Sequence, residues 1–422
     1  MKKNIIFIVV GLTVAVFLFS GGVQDETTTE PKEPATLHWL LWLAVPDVWP
    51  DKLIEDFESK NPNIKIEFES PTLGVADYLQ QQKVRLLSGS DLDLTSIRPE
   101  SLEPYSKAGH LLDLTDRPFL KNIKPYVLDK VMIGGRVYSI PSKGSTVAVY
   151  YNKDMFKEYG LLPPTTWNEF LDVCEALKTE GETPLLGGGK DAWPMEYDIY
   201  PIMHDVGAKN PDIYDKVKAG DIKYTDVLFI NTFKKINEFY QKQYIGKETL
   251  SIGYLQSITV FKQKKSAILI LGDWALKSVI GGEEKPPFEI DIFPLPHNSA
   301  GEEKVGVLAV GASLGIASTS KQTEEALKFA DYMCSLDAAK INIETGYEMD
   351  SVIIGGPPSQ YPLADKWIPM FNFKKSVPYF YSLQSPNANN EFLKQLQLLF
   401  LNKTTPEKMA EQIQLAEERK AD

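Results

Sequence analysis

The sequence predicts an α/β protein built as two lobes, each a sheet flanked by helices. Three observations carry this. The 422 residues exceed what one typical core organises. Short apolar runs of strand length alternate with segments of helical spacing, the grammar of layered α/β architecture. That alternation breaks near residue 131 and then resumes, so the chain builds one series of elements and then a second.

Taken in order, Lys2 and Lys3 precede an apolar run from Ile5 to Phe19 and the small residues Ser20, Gly21 and Gly22, the layout of an export signal cleaved after Gly22. The run is short for a membrane span. No cysteine stands at the junction, so the bacterial lipoprotein pattern is missing. Residues 23–35, VQDETTTEPKEPA, read as a disordered linker. LHWLLWL at 37–43 is a buried strand; Val48, Leu53, Ile54 and Phe57 then recur at helical spacing until Asn61-Pro62. IKIEFE at 64–69 alternates strictly, a helix is expected over 77–87, LDLTSI at 92–97 is a strand, and SLEPYSKAG is helical. Strands alternating with helices imply a parallel, doubly wound sheet with right-handed crossovers.

VMIGGRVYSIP then suggests a hairpin about Gly134-Gly135, and STVAVYY an extended strand. Thr166 and Glu169 form a capping-box pattern before Trp167, Phe170, Leu171, Cys174 and Leu177, the buried face of a helix ending by Gly181. Helices over 226–244 and 254–263 lead into AILIL at 267–271, a run short enough for a buried strand. VLAVGASLGIAS and the helix TEEALKFADYMCSL follow a proline-rich piece. Cys174 and Cys334 both fall within apolar helical patterns, which favours buried free thiols, while an oxidising compartment permits a disulfide if the two helices touch.

The net charge of −12 argues against nucleic acid or an anionic membrane surface as partner. GASLG at 311–315 matches a nucleophile elbow, but strand-like residues continue through it, and all four histidines precede Ser313, which is incompatible with the Ser, acid, His order of that fold. GGGKD at 187–191 lacks the hydroxyl residue a P-loop needs after its lysine. No two histidines lie close in sequence, so neither a metal nor another cofactor is called for. What remains is a set of aromatic and charged residues at strand exits, where open α/β sheets bind ligands. Trp42 follows the first strand, Arg98 follows LDLTSI, Asp273 and Trp274 follow AILIL, and Trp193 lies in GGGKDAWPMEYD. Flat rings suit the C–H face of a sugar, and charged planar groups suit its hydroxyls.

The stretch GGRVYSIPSKGSTVAVYYNKDMFKEYGLLPPTTWNEFLDVCEALKTEGETPL resembles the most recurrent part of the family 1 extracellular solute-binding proteins, sugar receptors of ABC importers that include maltodextrin-binding protein. LIEDFESKNPNIKIEFE, FKQKKSAILILGDWAL, IFPLPHNSAGEE and GIASTSKQTEEALKFADYMCSLDAAK are similar in the right order. The resemblance implies the two-lobe periplasmic-binding-protein fold (type II), hinged, with ligand in the cleft. It implies chain crossings near Ser145–Val149, Phe293–His297 and Ser318–Thr323, hence an N-terminal lobe of 36–147 plus 295–321 and a C-terminal lobe of 148–294 plus 322–422.

It further implies that Trp274 stacks on a sugar, that Asp273 adds hydroxyl bonds, and that Trp42 and Asp47 reach the cleft, with Lys143 and Tyr347 as further contacts. Arg98 stands where many relatives carry an acid or small residue, which leaves room for an acidic sugar. The function implied is capture of a mono- or oligosaccharide by lobe closure and delivery to an ABC permease, by a monomer free in the periplasm or extracellular space, with no cofactor and no bond broken. A non-sugar solute (a polyamine or an organophosphate) and an exported carbohydrate-active enzyme are the alternatives.

Overall fold

The computed structural model describes residues 34–43, 48–71, 75–89, 91–281, 285–371, 375–380 and 384–419. The export signal, nearly all of the linker and Asp47 lie outside the described residues.

The first sheet is assembled from β1 (Ala35–Leu40), β2 (Ile64–Glu69) and β3 (Leu94–Ile97). β1 pairs in parallel with β2 on one side and β3 on the other. The strand begins inside the segment read as linker, because the Ala35 N–H donates to the Asn63 carbonyl at 2.9 Å. Helix α1 (Trp49–Lys60) connects β1 to β2, and α2 (Val75–Ser88) connects β2 to β3. The two cover opposite faces. Leu53 and Phe57 of α1 pack with Leu37 and Trp39 in one core, whereas Tyr78 and Leu86 of α2 pack with Leu40 in another. Successive strand residues point to opposite faces, which is why LHWL is apolar almost throughout. α3 (Pro99–Lys107) follows β3 directly.

The sheet is not wholly parallel. Its fourth strand, Ser313–Ile316, runs antiparallel to β3, with Ser313 opposite Ile97 and Ile316 opposite Leu94. The chain has by then left for the second lobe and come back, so no crossover helix constrains its direction. The hairpin at Gly134-Gly135 forms as read, both glycines adopting positive φ between Ile133 and Arg136.

The second lobe is centred on the strand Val147–Asn152, flanked by Ile268–Gly272 and Ile290–Pro294, both antiparallel to it. All six residues of the central strand are buried. The helix Trp167–Thr179 starts with the capping box: Thr166 Oγ1 accepts from the Glu169 N–H, and the Glu169 carboxylate accepts from the Thr166 N–H. Cys174 is buried in this second core and Cys334 in the first, both as free thiols.

Core membership moves the crossings expected from the resemblance. The chain first passes from one core to the other between Ile140, in the first, and Val147, in the second. The return lies later than Phe293–His297, since Val307, Leu308 and Ala309 pack in the second core and Val310 in the first. There Ala309–Val310 pairs with Gly144–Ser145 as a short antiparallel ribbon at the hinge. The helices Thr323–Met333 and Leu336–Thr345, assigned by sequence to the C-terminal lobe, pack instead on the first core through Ala326, Phe329, Ala330, Ala338 and Ala339. Val352 and Ile353 remain with that core before the chain departs for the second lobe. An amphipathic helix shows which face it buries but not against which sheet.

Candidate ligand site

On the first lobe, Trp42 sits two residues beyond β1. Its backbone N–H donates to Ser96 Oγ at 3.0 Å, and its ring meets Tyr78 edge-on at 5.3 Å. The Tyr78 hydroxyl donates to the Ser96 carbonyl at 2.6 Å, and the Gln82 amide donates to Thr95 Oγ1 and the Ser96 carbonyl, each at 2.8 Å. These groups are buried and hydrogen-bonded to one another, so α2 clamps the end of β3 and fixes the direction in which Arg98 leaves it. The guanidinium lies over the Trp42 ring at 5.5 Å, and Arg98 Nε donates to Glu100 Oε1 at 2.6 Å. Lys143 and Tyr347 also meet: Lys143 Nζ lies 4.3 Å from the Tyr347 ring centroid, and that ring stacks on Trp49 at 4.0 Å.

On the second lobe, aromatic rings form a continuous floor. Trp193 opens the helix Trp193–Asp198 behind Ala192, whose φ of +62° is costly for a residue with a Cβ. The Trp193 ring lies 4.8 Å from Tyr254 and 5.7 Å from Tyr197. Trp274 meets Tyr197 at 5.4 Å and Tyr379 at 6.3 Å, and is hydrogen-bonded to the Tyr254 hydroxyl. Both tryptophans are half-buried. Gly272 is required by this packing, because a Cβ there would stand 1.8 Å from the Trp274 ring.

Asp273 departs from expectation. It is 1 % exposed, and its Oδ1 accepts from Ser145 Oγ at 2.8 Å and from the Thr146 N–H at 2.9 Å. Tyr379 in turn donates to Ser145 Oγ at 2.9 Å. The carboxylate thus ties the end of the strand Ile268–Gly272 to the crossing segment, a hinge contact where a hydroxyl-binding group was expected. Burial raises its pKa and the charge of Lys143 opposes that rise, which places Lys143 beside the same junction.

The glycines of GGGKD serve close packing. A Cβ on Gly187 would lie 2.0 Å from Asp198 Oδ2, and one on Gly188 would lie 2.9 Å from the Tyr254 Cα. Ser313 lies within a strand, its hydroxyl 2.8 Å from Ser139 Oγ. Among the described residues no group of three or more His, Cys, Asp or Glu is placed to hold a metal ion. His204 and His297, far apart in sequence, do meet, with ring centroids 4.5 Å apart in the second lobe. His204 Nε2 lies 2.8 Å from the Val305 carbonyl, and burial pushes its pKa down to about 3.

Sequence reading missed Tyr197, Tyr254 and Tyr379, and two acids, Glu100 and Glu196. Tyr197 was detectable only as the residue four places after Trp193, one helical turn on. Glu196 is 3 % exposed, and burial raises its carboxyl to about 8, with Arg98 lowering and Glu100 raising it through space. Those two belong to the first lobe, so its charges act on this helix of the second. The lobes meet where Lys218 Nζ donates to Glu103 Oε2 at 2.8 Å, from the helix Ile213–Ala219 to α3. Of the sequence-predicted residues, Trp42 pairs with Arg98 and Lys143 with Tyr347, and Trp193 and Trp274 share Tyr197 and Tyr254 as neighbours. Rings beside carboxyl, guanidinium and ammonium groups suit a ligand with apolar faces and a polar rim.

The sequence profile of bacterial extracellular solute-binding proteins matches residues 45–340. The multiple sugar-binding protein of Streptococcus mutans is 28% identical over 342 residues, spanning 80% of this chain and 79% of that one. A solved chitin oligosaccharide binding protein superposes with a TM-score of 0.77 at 24% identity, over 91% of this chain and 98% of that one. The solute-binding protein RafE, solved in complex with raffinose, gives 0.74 at 23% identity over 90% and 98%.

Proposed function

Because the chain belongs to the family of bacterial extracellular solute-binding proteins, we propose that it captures a saccharide between its lobes and presents it to an ABC permease. The observation that carries this reading is the ring floor of Trp193, Tyr197, Tyr254 and Trp274 on one lobe, with Trp42 and Arg98 paired on the other. A ligand touching both lobes binds the closed form better than the open one, and that difference in affinity drives closure. Trp193 and Trp274 stack on sugar faces; Trp42, Lys143 and Tyr347 close over the ligand from the first lobe. Arg98 is held by Glu100, so it acts as a donor to hydroxyls in company with a carboxylate. The chain carries out no bond cleavage and acts outside the cytoplasm as a monomer.

The test is thermal unfolding of the protein across mono-, di- and oligosaccharides, uronic acids, polyamines and phosphodiesters. Ligand at about 100 times its dissociation constant stabilises by about 2.7 kcal/mol, a readable shift. A shift with a neutral saccharide is the expected result. Silence with every saccharide and a response to a polyamine or phosphodiester would overturn the carbohydrate assignment.

A further inference from the structure

A groove of about 680 Å³ opens in the second lobe, within the size range of small-molecule sites, and none of the cleft rings lines it. Three helices and one loop build it. Trp167, Leu171 and Glu175 recur at four-residue spacing on the helix Trp167–Thr179, so one face of that helix forms a wall. Lys235, Glu238 and Phe239 come from the helix Val227–Gln241, and Asp205 and Lys209 from the helix Tyr200–Lys209. The loop carrying His297 and Asn298 is tied to the first helix, because the Trp167 N–H donates to the Asn298 carbonyl at 3.0 Å. The wall is braced where it is aromatic. The half-buried Trp167 ring meets Phe170 and Phe239, each at 5.5 Å between centroids, and Phe239 in turn meets Tyr244 at 5.7 Å.

The floor holds polar atoms that the protein does not pair. His297 is 6 % exposed and Asn298 4 %. His297 Nε2 accepts from the Val305 N–H at 3.3 Å, which leaves the ring proton on Nδ1, and Nδ1 stands 3.9 Å from Asp205 Oδ1, too far for a hydrogen bond. Asn298 Nδ2 donates to the Ser299 and Glu302 carbonyls at 3.2 and 3.4 Å, while its Oδ1, like His297 Nδ1, is buried without a hydrogen-bond partner. One unpaired donor and one unpaired acceptor carry a desolvation cost that a hydroxyl, able to give and to take a hydrogen bond, removes.

We infer that this groove is a second saccharide site, separate from the cleft. Trp167 and Leu171 take the C–H face of a sugar ring, Asp205 and Glu238 accept from its hydroxyls, Lys209 and Lys235 donate to them, and a hydroxyl reaching the floor meets His297 Nδ1 and Asn298 Oδ1. The mixed signs decide the class of ligand. Four carboxylates and three lysines line the groove together, so a polyamine meets the lysines and a phosphodiester meets the carboxylates, whereas a neutral polyol uses both. Asp205 pairs with Lys209 at 3.0 Å, and Glu175 accepts from the Tyr244 hydroxyl at 2.7 Å, which fixes two of the carboxylates in place.

The experiment combines amide hydrogen exchange with titration calorimetry on the full chain, using raffinose, maltose and di-N-acetylchitobiose as probes and spermidine and phosphate as contrasts. In Trp274→Ala, which lacks the cleft anchor, a saccharide should still bind and should slow exchange of the amides of residues 167–172 and 297–299. Trp167→Ala should weaken this second binding event by about tenfold or more and leave binding in the cleft as it is in the wild type. Saccharide binding confined to the cleft, or no protection of the groove segments by any saccharide, overturns the second site. A groove response to spermidine or phosphate alone overturns the saccharide class. Groove protection without any binding that depends on Trp274 would remove the saccharide reading of the cleft and leave the second site standing. Should Trp167→Ala fail to fold, the double variant Lys235→Met, Glu238→Gln changes only exposed side chains, and groove binding equal to that of the wild type overturns the assignment as well.

Discussion

Trp274 holds its place through a glycine two residues before it, a hydroxyl partner in Tyr254 and ring contacts to Tyr197 and Tyr379. A ring so fixed loses little freedom on binding, the property of an anchor. Trp274→Ala is expected to weaken saccharide binding by roughly 10²-fold, read by calorimetry; unchanged affinity would remove Trp274 from the site. Buried ionisable groups make a second residue-scale statement. Glu348, 1 % exposed, accepts from the Asn342 side-chain amide at 2.7 Å and from the Val352 N–H at 3.2 Å, yet burial raises it to about 8. Its pKa is higher folded than unfolded, so its contribution is fully present below the ordinary glutamate value of about 4.3 and is lost as pH rises through about 8. His204 has the opposite sign. Neutral in the fold, it contributes above its ordinary value of about 6.5 and loses that contribution as pH falls towards about 3. Glu348→Gln should therefore flatten the decline of the melting temperature between about pH 5 and about pH 8; an unchanged slope would show that Glu348 is ionised in the fold.

At the scale of elements, short local signals set helix starts and stops. The Thr166–Glu169 box satisfies N–H groups that the first turn of its helix cannot. Thr166→Ala is expected to cost about 1 kcal/mol of stability, measured by denaturant unfolding, with ligand affinity unchanged because the box lies away from the cleft patches. Strand ends behave differently. Arg98 is aimed by Tyr78 and Gln82 of α2, elements that only tertiary packing brings beneath β3. Asp273 likewise serves the hinge because the strand Ile268–Gly272 ends beside Ser145, a neighbour 128 residues away in sequence.

For the whole molecule, the contact between Lys218 and Glu103 ties the two lobes together. The bonds to Lys218 and Lys107 hold the Glu103 carboxyl at about 2, so the contact persists at any pH at which the protein functions. Both partners are partly exposed, which limits its worth to about 1 kcal/mol or less. Lys218→Met is expected to shift the ligand-free ensemble towards open forms, seen as a larger radius of gyration and a saccharide affinity up to about fivefold weaker and less dependent on salt. A variant with wild-type scattering and wild-type salt dependence would show that this pair does not contribute to closure.

The sequence by itself determined the local elements. Periodicity placed β1, β2 and β3, the hairpin at Gly134-Gly135 and the capped helix at Trp167, because side-chain spacing and turn chemistry are properties of neighbours along the chain. It also singled out Trp42, Arg98, Trp193 and Trp274, since rings and charges at strand exits stand out against the apolar runs before them. Tertiary structure alone decided the rest: that the helices Thr323–Met333 and Leu336–Thr345 pack on the first core, that the strand Ser313–Ile316 runs antiparallel to β3, that Asp273 faces the hinge, and that Glu196 is buried with the charges of Arg98 and Glu100 acting on it. Each of these depends on which of two similar lobes a segment joins. An apolar face is satisfied equally well by either core, and a carboxyl group carries no local sign of the partner that another lobe will bring to it.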